Sequence, residues 1–114
     1  MRTAFLTAIS LLVAAPAPPA VAQAPDGAAL YQQHCRACHG PTGAPPERLR
    51  TIYRTLPTLD SAFLTARSDD SLTAVIQNGA GKVMKGFKDK LSKEETLAIV
   101  RYLRTFRGSA ATPD

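Results

Sequence analysis

Tryptophan is absent, and four phenylalanines and three tyrosines make up the whole aromatic content of this 114-residue chain. With a formal charge of only +5, so few stacking residues argue against a nucleic-acid binder, which needs a strong basic patch interleaved with aromatics. No stretch alternates apolar and polar residues, and no segment repeats, so sheet and solenoid architectures are excluded and the fold class expected is all-α. Long apolar runs are missing too. The best, Ala4 to Ala15, is too short to span a bilayer, and Pro16, Pro18 and Pro19 fall where a spanning helix would need its second half. Cysteine occurs twice, at positions 35 and 38.

What the N-terminal stretch does have is the layout of a secretory signal. Met1-Arg2 is a short positive start, the apolar run follows, and Ala20-Val21-Ala22 forms an A-x-A cleavage site. The division expected is a signal peptide over 1–22 and a single domain over 23–114, exported to the periplasm or secreted, with no stable membrane insertion after cleavage. Loss of Arg2 lowers the formal charge from +5 to +4, since no acidic residue precedes Asp26.

The two cysteines stand in Cys35-Arg36-Ala37-Cys38-His39. A C-x-x-C-H run sets two thiols one helical turn apart, where they can add to the two vinyl groups of a haem, with an imidazole beside them to reach the iron. A thioredoxin-like dithiol would want a strand before the motif and a βαβ chain around it, and neither is present. Structural zinc would lack a fourth ligand. A Cys35–Cys38 disulfide would close too short a loop to constrain the unfolded chain much. One covalently attached haem c is therefore the expected cofactor. It also suits the size, because a domain of about 90 residues has a marginal apolar core and a haem would supply a large apolar body.

Around the motif the spacing predicts helices. Asp26 caps a first helix running to about Arg36, with Gly27, Leu30, Tyr31 and His34 on one face. Gly27 serves either as a helix-start residue or as the site of a close crossing. Gly40 to Pro46 cannot stay helical. Pro46 then opens a second helix with Leu49, Ile52, Tyr53 and Leu56 inward, ended by Pro57. Asp60 caps a short turn bearing Phe63 and Leu64. Ser68 or Asp69 opens a helix with Leu72, Val75 and Ile76 inward, stopped at Asn78-Gly79. Ala80 to Lys90 reads as a loop. Ser92-Lys93-Glu94-Glu95 is a capping box, and Ile99, Tyr102, Leu103 and Phe106 form the stripe of a last helix ending before Gly108, with a frayed tail beyond.

Gly27-x-x-x-Tyr31-x-x-x-Cys35-x-x-Cys38-His39-Gly40, together with the capping-box helix carrying Tyr102-Leu103, resembles the first and last helices of the class I monohaem c-type cytochromes. The resemblance implies a small cytochrome c fold, with terminal helices crossing near Gly27 and helices packed around the haem. It implies electron transfer rather than catalysis, with His39 as one axial ligand. Met84-Lys85-Gly86-Phe87 is similar to the family's distal M-P-x-F stretch, with lysine in place of proline, and makes Met84 the second ligand. Cofactor-binding residues are thus Cys35, Cys38, His39 and Met84, and metal ligands His39 and Met84. His34 is the rival ligand, but it sits directly before Cys35 on the proximal segment. The family's proline carbonyl that orients His39 could be that of Pro45, Pro46 or Pro57. Arg48, Arg50, Arg54 and Tyr53 are candidates for the haem propionates.

Lys82, Lys85, Lys88, Lys90 and Lys93 cluster about the Met84 loop. They suit an acidic docking surface on a redox protein partner, though ordinary solubility explains them equally. Two other functions share the motif. One is a haem enzyme or gas-binding sensor with an open distal site, and the other is an electron-transfer subunit of a dehydrogenase or oxidase complex.

Overall fold

The computed structural model describes residues 9–17 and 24–107. Residues 9–17 carry no regular structure and are exposed throughout. The expected cleavage site at Ala22 and the tail beyond Gly108 lie outside the described residues. Six helices and one two-stranded ladder make up the rest.

Helix α1 (Gly27–His34) begins where expected, with Asp26 Oδ1 accepting the Ala29 amide at 3.1 Å. It stops two residues earlier than the spacing suggests. Cys35 (φ −116°, ψ −33°) bends the chain, and a separate single turn, α2 (Arg36–His39), carries the rest of the C-x-x-C-H motif. Helix α3 (Glu47–Ile52) is capped by Pro46 and is shorter than the predicted second helix. The expected apolar face therefore breaks up: Ile52 is 65 % exposed, and Tyr53 sits beyond the helix at φ −112°, ψ 81°. The terminator is not Pro57 but the turn at Tyr53, where the Leu56 amide bonds the Tyr53 carbonyl at 2.9 Å. Leu56 then precedes Pro57, a position that disfavours the helical conformation.

Helices α4 (Ser61–Thr65) and α5 (Asp69–Asn78) start at side-chain caps from Asp60 and Ser68. Asp69 and Asp70 in the first turn of α5 complement its positive end. Gly79 (φ 87°) ends α5 and opens β1 (Gly79–Ala80), which pairs antiparallel with β2 (Met84–Lys85). The loop expected over 80–90 thus contains a minimal hairpin. Last comes α6 (Lys93–Leu103), with both halves of the Ser92/Glu95 capping box formed.

Helices α1 and α6 cross, and the crossing depends on Gly27. A Cβ there would run into the carbonyl oxygen of Ala98 on α6, so only glycine admits this approach. Just beyond the crossing, Tyr31, Tyr102 and Phe106 pack as an aromatic trio with centroids 5.1–5.4 Å apart, favourable edge-on and tilted geometries. Leu64, Leu72, Ile76, Ile99, Val100 and Leu103 complete the buried cluster against which α4, α5 and α6 rest.

Candidate functional site

The apolar stripes of α1, α5 and α6 do not close fully on one another. They surround a cavity of about 720 Å³, with Leu59, Phe63, Leu72, Ile76, Ile99 and Leu103 in its walls. Val75 explains itself here: although 38 % exposed, it faces this cavity as the helical spacing predicts. Tyr53 and Val83 line the cavity while remaining exposed, so it reaches the surface.

Cys35, Cys38, His39 and Met84 all line this one cavity. The first three are held by α2, where the His39 amide bonds the Cys35 carbonyl at 2.9 Å. Tyr31 braces the same turn from α1 by donating its hydroxyl to the Gly40 carbonyl at 2.7 Å. The two thiols are free, and burial together with the neighbouring Cys38 pushes the Cys35 thiol up to about 11. Such a thiol stays protonated near neutrality. Among the described residues no strand precedes the motif either, so the thioredoxin-like alternative finds no support. Burial lowers the His39 value, which keeps its imidazole neutral and able to ligate a metal. Its Nδ1 is buried without a hydrogen-bond partner, so none of the Pro45, Pro46 and Pro57 carbonyls orients the ring here.

Other expectations fare unevenly. Arg48, Arg50 and Arg54 do not line the cavity, and Arg50 pairs instead with Glu47; Tyr53 does line it. The guanidinium that does line the cavity is Arg67, which sequence reasoning passed over. Its Cζ lies 3.6 Å from the Phe63 ring centroid, and its Nη1 donates to the Phe63 carbonyl at 2.9 Å. The i, i+4 spacing of Phe63 and Arg67 was the available signal. His34 is half-buried in the cavity wall, edge-on to Phe87 at 5.7 Å. Lys85 and Lys90 line the cavity as well, and all five lysines of the cluster are exposed, with no ion pair among the described residues.

The residues present fit a haem. An apolar cavity bears two uncommitted thiols and a neutral imidazole with an unused buried nitrogen on one local segment, and a thioether from a distant one.

Comparison with known proteins agrees. Residues 22–103 match the family model described as cytochrome c oxidase, cbb3-type, subunit III. The solved c-type cytochrome KustC0563 is 34 % identical, with a TM-score of 0.64, over 72 % of this chain and 98 % of that one. A point variant of KustC0563 is 32 % identical, with a TM-score of 0.63, over 72 % of this chain and 99 % of that one. Dihydro-haem d1 dehydrogenase NirN is 32 % identical, with a TM-score of 0.56, over 70 % of this chain but only 16 % of its own. No curated protein matches the chain significantly. The fold and site define a small, mostly helical c-type cytochrome domain, one whose role is electron transfer through haem. The chain belongs to the family of cytochrome c oxidase, cbb3-type, subunit III. Among the described residues no helix is long and apolar enough to cross a membrane.

Proposed function

We propose that this chain is an exported, periplasmic electron carrier holding a single haem c through thioether bonds from Cys35 and Cys38, with His39 and Met84 as axial ligands. The observation that carries the proposal is the convergence of these four side chains on one apolar cavity, Met84 arriving from a hairpin far along the chain. When bound, the haem supplies an iron that cycles between ferrous and ferric states.

The chain's own residues set the terms of that cycle. A thioether is a soft ligand and favours the reduced state, so Met84 raises the potential relative to a second imidazole. With His39 and Met84 both committed, no position is left for a substrate. The apolar walls exclude water, which favours the less charged form of the site. Arg67 and Tyr53, in the cavity lining, are the available partners for haem carboxylates. Export rests on the apolar run and the Ala20-Val21-Ala22 site, and the mature N-terminus is then Gln23, opening a domain over 23–114.

Haem staining of a denaturing gel after periplasmic expression tests the attachment: wild type should stain and Cys35→Ala should lose the stain. The ferric spectrum tests the ligands, since the weak long-wavelength band of sulfur-ligated haem should vanish in Met84→Ala. A wild-type protein without that band that binds carbon monoxide readily would overturn the carrier reading in favour of an open-site haem enzyme or sensor. Amino-terminal sequencing that does not begin at Gln23 would overturn the cleavage site.

A second reading is favoured by the family's description as an oxidase subunit: the domain works docked in an oxidase complex. Stable co-purification with such a complex at high salt selects it over a freely diffusing carrier.

A further inference from the structure

The Met84 loop lacks the proline that would stiffen it, because Lys85 follows the methionine. Its position has to be fixed by something other than ring rigidity, and the last turn of α5 does this at several points. Gly86 packs so closely that a Cβ there would lie 2.5 Å from the Gln77 carbonyl oxygen. The Phe87 amide donates to the Ile76 carbonyl at 2.9 Å, and the Lys88 amide to the Gln77 carbonyl at 3.1 Å. The chain then turns, with the Lys90 and Leu91 amides both donating to the Phe87 carbonyl at 2.8 Å.

One side chain closes this turn from the far end. Gln77 Nε2 donates to the Leu91 carbonyl at 3.3 Å and to Thr96 Oγ1. Thr96 is fully buried on α6, and its hydroxyl in turn donates to the Ser92 carbonyl at 2.9 Å. A single residue therefore grips the segment after Met84 twice, by its backbone carbonyl at Lys88 and by its amide at Leu91, and ties both to α6.

We propose that Gln77 is the positioning residue for Met84, its amide bridge to Leu91 and Thr96 keeping the ligand loop from swinging off the haem. This rests on the reading of Met84 as an axial ligand. No residue of the bridge belongs to the aromatic trio, and Thr96 stands two residues before Ala98, where α1 crosses α6. Its loss should loosen the loop rather than release it, and the fold should persist, because the backbone bonds at Phe87 and Lys88 and the contact of Gly86 all remain.

Imidazole titration of the ferric holoprotein reads the loop's open fraction, since an added ligand can bind only where the thioether has left, and its apparent affinity scales with that fraction. Losing two net hydrogen bonds predicts about tenfold tighter imidazole binding in Gln77→Leu, together with a lower reduction potential. Thr96→Val should shift in the same direction, and Thr96→Ser, which restores the hydroxyl, should bind imidazole as wild type does. Unchanged imidazole affinity in Gln77→Leu would overturn the proposal. So would a change that only tracks the global unfolding midpoint seen by circular dichroism, or equal shifts in Thr96→Val and Thr96→Ser. If the sulfur–iron band survives Met84→Ala, the ligand reading fails and takes this inference with it. If Met84→Ala abolishes the band but Gln77→Leu leaves imidazole affinity untouched, only the role of Gln77 falls.

Discussion

Tyr31 shows how much one side chain can do in so small a protein. It is fully buried, packs edge-on against Phe106 and tilted against Tyr102, and spends its hydroxyl on the Gly40 carbonyl directly after His39. Phenylalanine at this position would keep the packing and strand the buried carbonyl. Tyr31→Phe should therefore cost about 1–3 kcal/mol at neutral pH, measured by chemical denaturation of the holoprotein. Burial is the main cause that pushes the Tyr31 hydroxyl well above the usual tyrosine value, and it acts whether or not Cys35 carries a haem. The folded state therefore keeps its proton after the unfolded chain has lost it, and stability should fall as the pH rises above about 10. In Tyr31→Phe that alkaline loss should be smaller, and an unchanged pH profile would show that Tyr31 does not cause it.

The helices owe their placement to a few local devices. Because Gly27 lies against the Ala98 carbonyl, Gly27→Ala must push α1 and α6 apart at their crossing. A cost at or above the top of the usual overpacking range of about 1–3 kcal/mol is expected, seen as a lowered midpoint in thermal or denaturant unfolding. The α6 cap makes a milder test. Ser92→Ala removes the acceptor of the Glu95 amide and should cost about 1 kcal/mol without moving the reduction potential, as neither Ser92 nor Glu95 lines the cavity and the Ser92 carbonyl that Thr96 bonds is kept. Where caps were visible in the sequence, helix starts were too: Asp26, Asp60, Ser68 and Ser92 each accept an amide three residues on. Helix ends were less legible. The chain bends at Cys35 and turns at Tyr53, although neither position carries the glycine or proline that would announce it.

At the scale of the whole molecule, five exposed lysines, Lys82, Lys85, Lys88, Lys90 and Lys93, stand on and after the Met84 hairpin. Lys82, Lys85 and Lys88 are exposed and free of ion pairs among the described residues, and Lys85 reaches the cavity wall. If this face meets an acidic redox partner, the rate of electron transfer should fall steeply with ionic strength. Replacing the three lysines by glutamine should lower the rate at low salt and flatten that dependence. A rate indifferent to salt in the wild type would assign the lysines to solubility instead.

By itself the sequence determined the attachment motif, the helical class and the caps at Asp26, Asp60 and Ser92. Each of these is written in residues close together in the chain, whose chemistry or steric limits act over a turn or less. Tertiary structure decided the rest. It brought Met84 to the cavity that holds Cys35, Cys38 and His39, exposed Ile52, and put Arg67 rather than Arg48, Arg50 or Arg54 in the cavity wall. It also joined Gln77 to Leu91 and Thr96, a link no spacing announces. Such contacts depend on where separate elements finally rest, and that is set by how the apolar stripes of α1, α5 and α6 share one small core, not by any residue's neighbours in the chain.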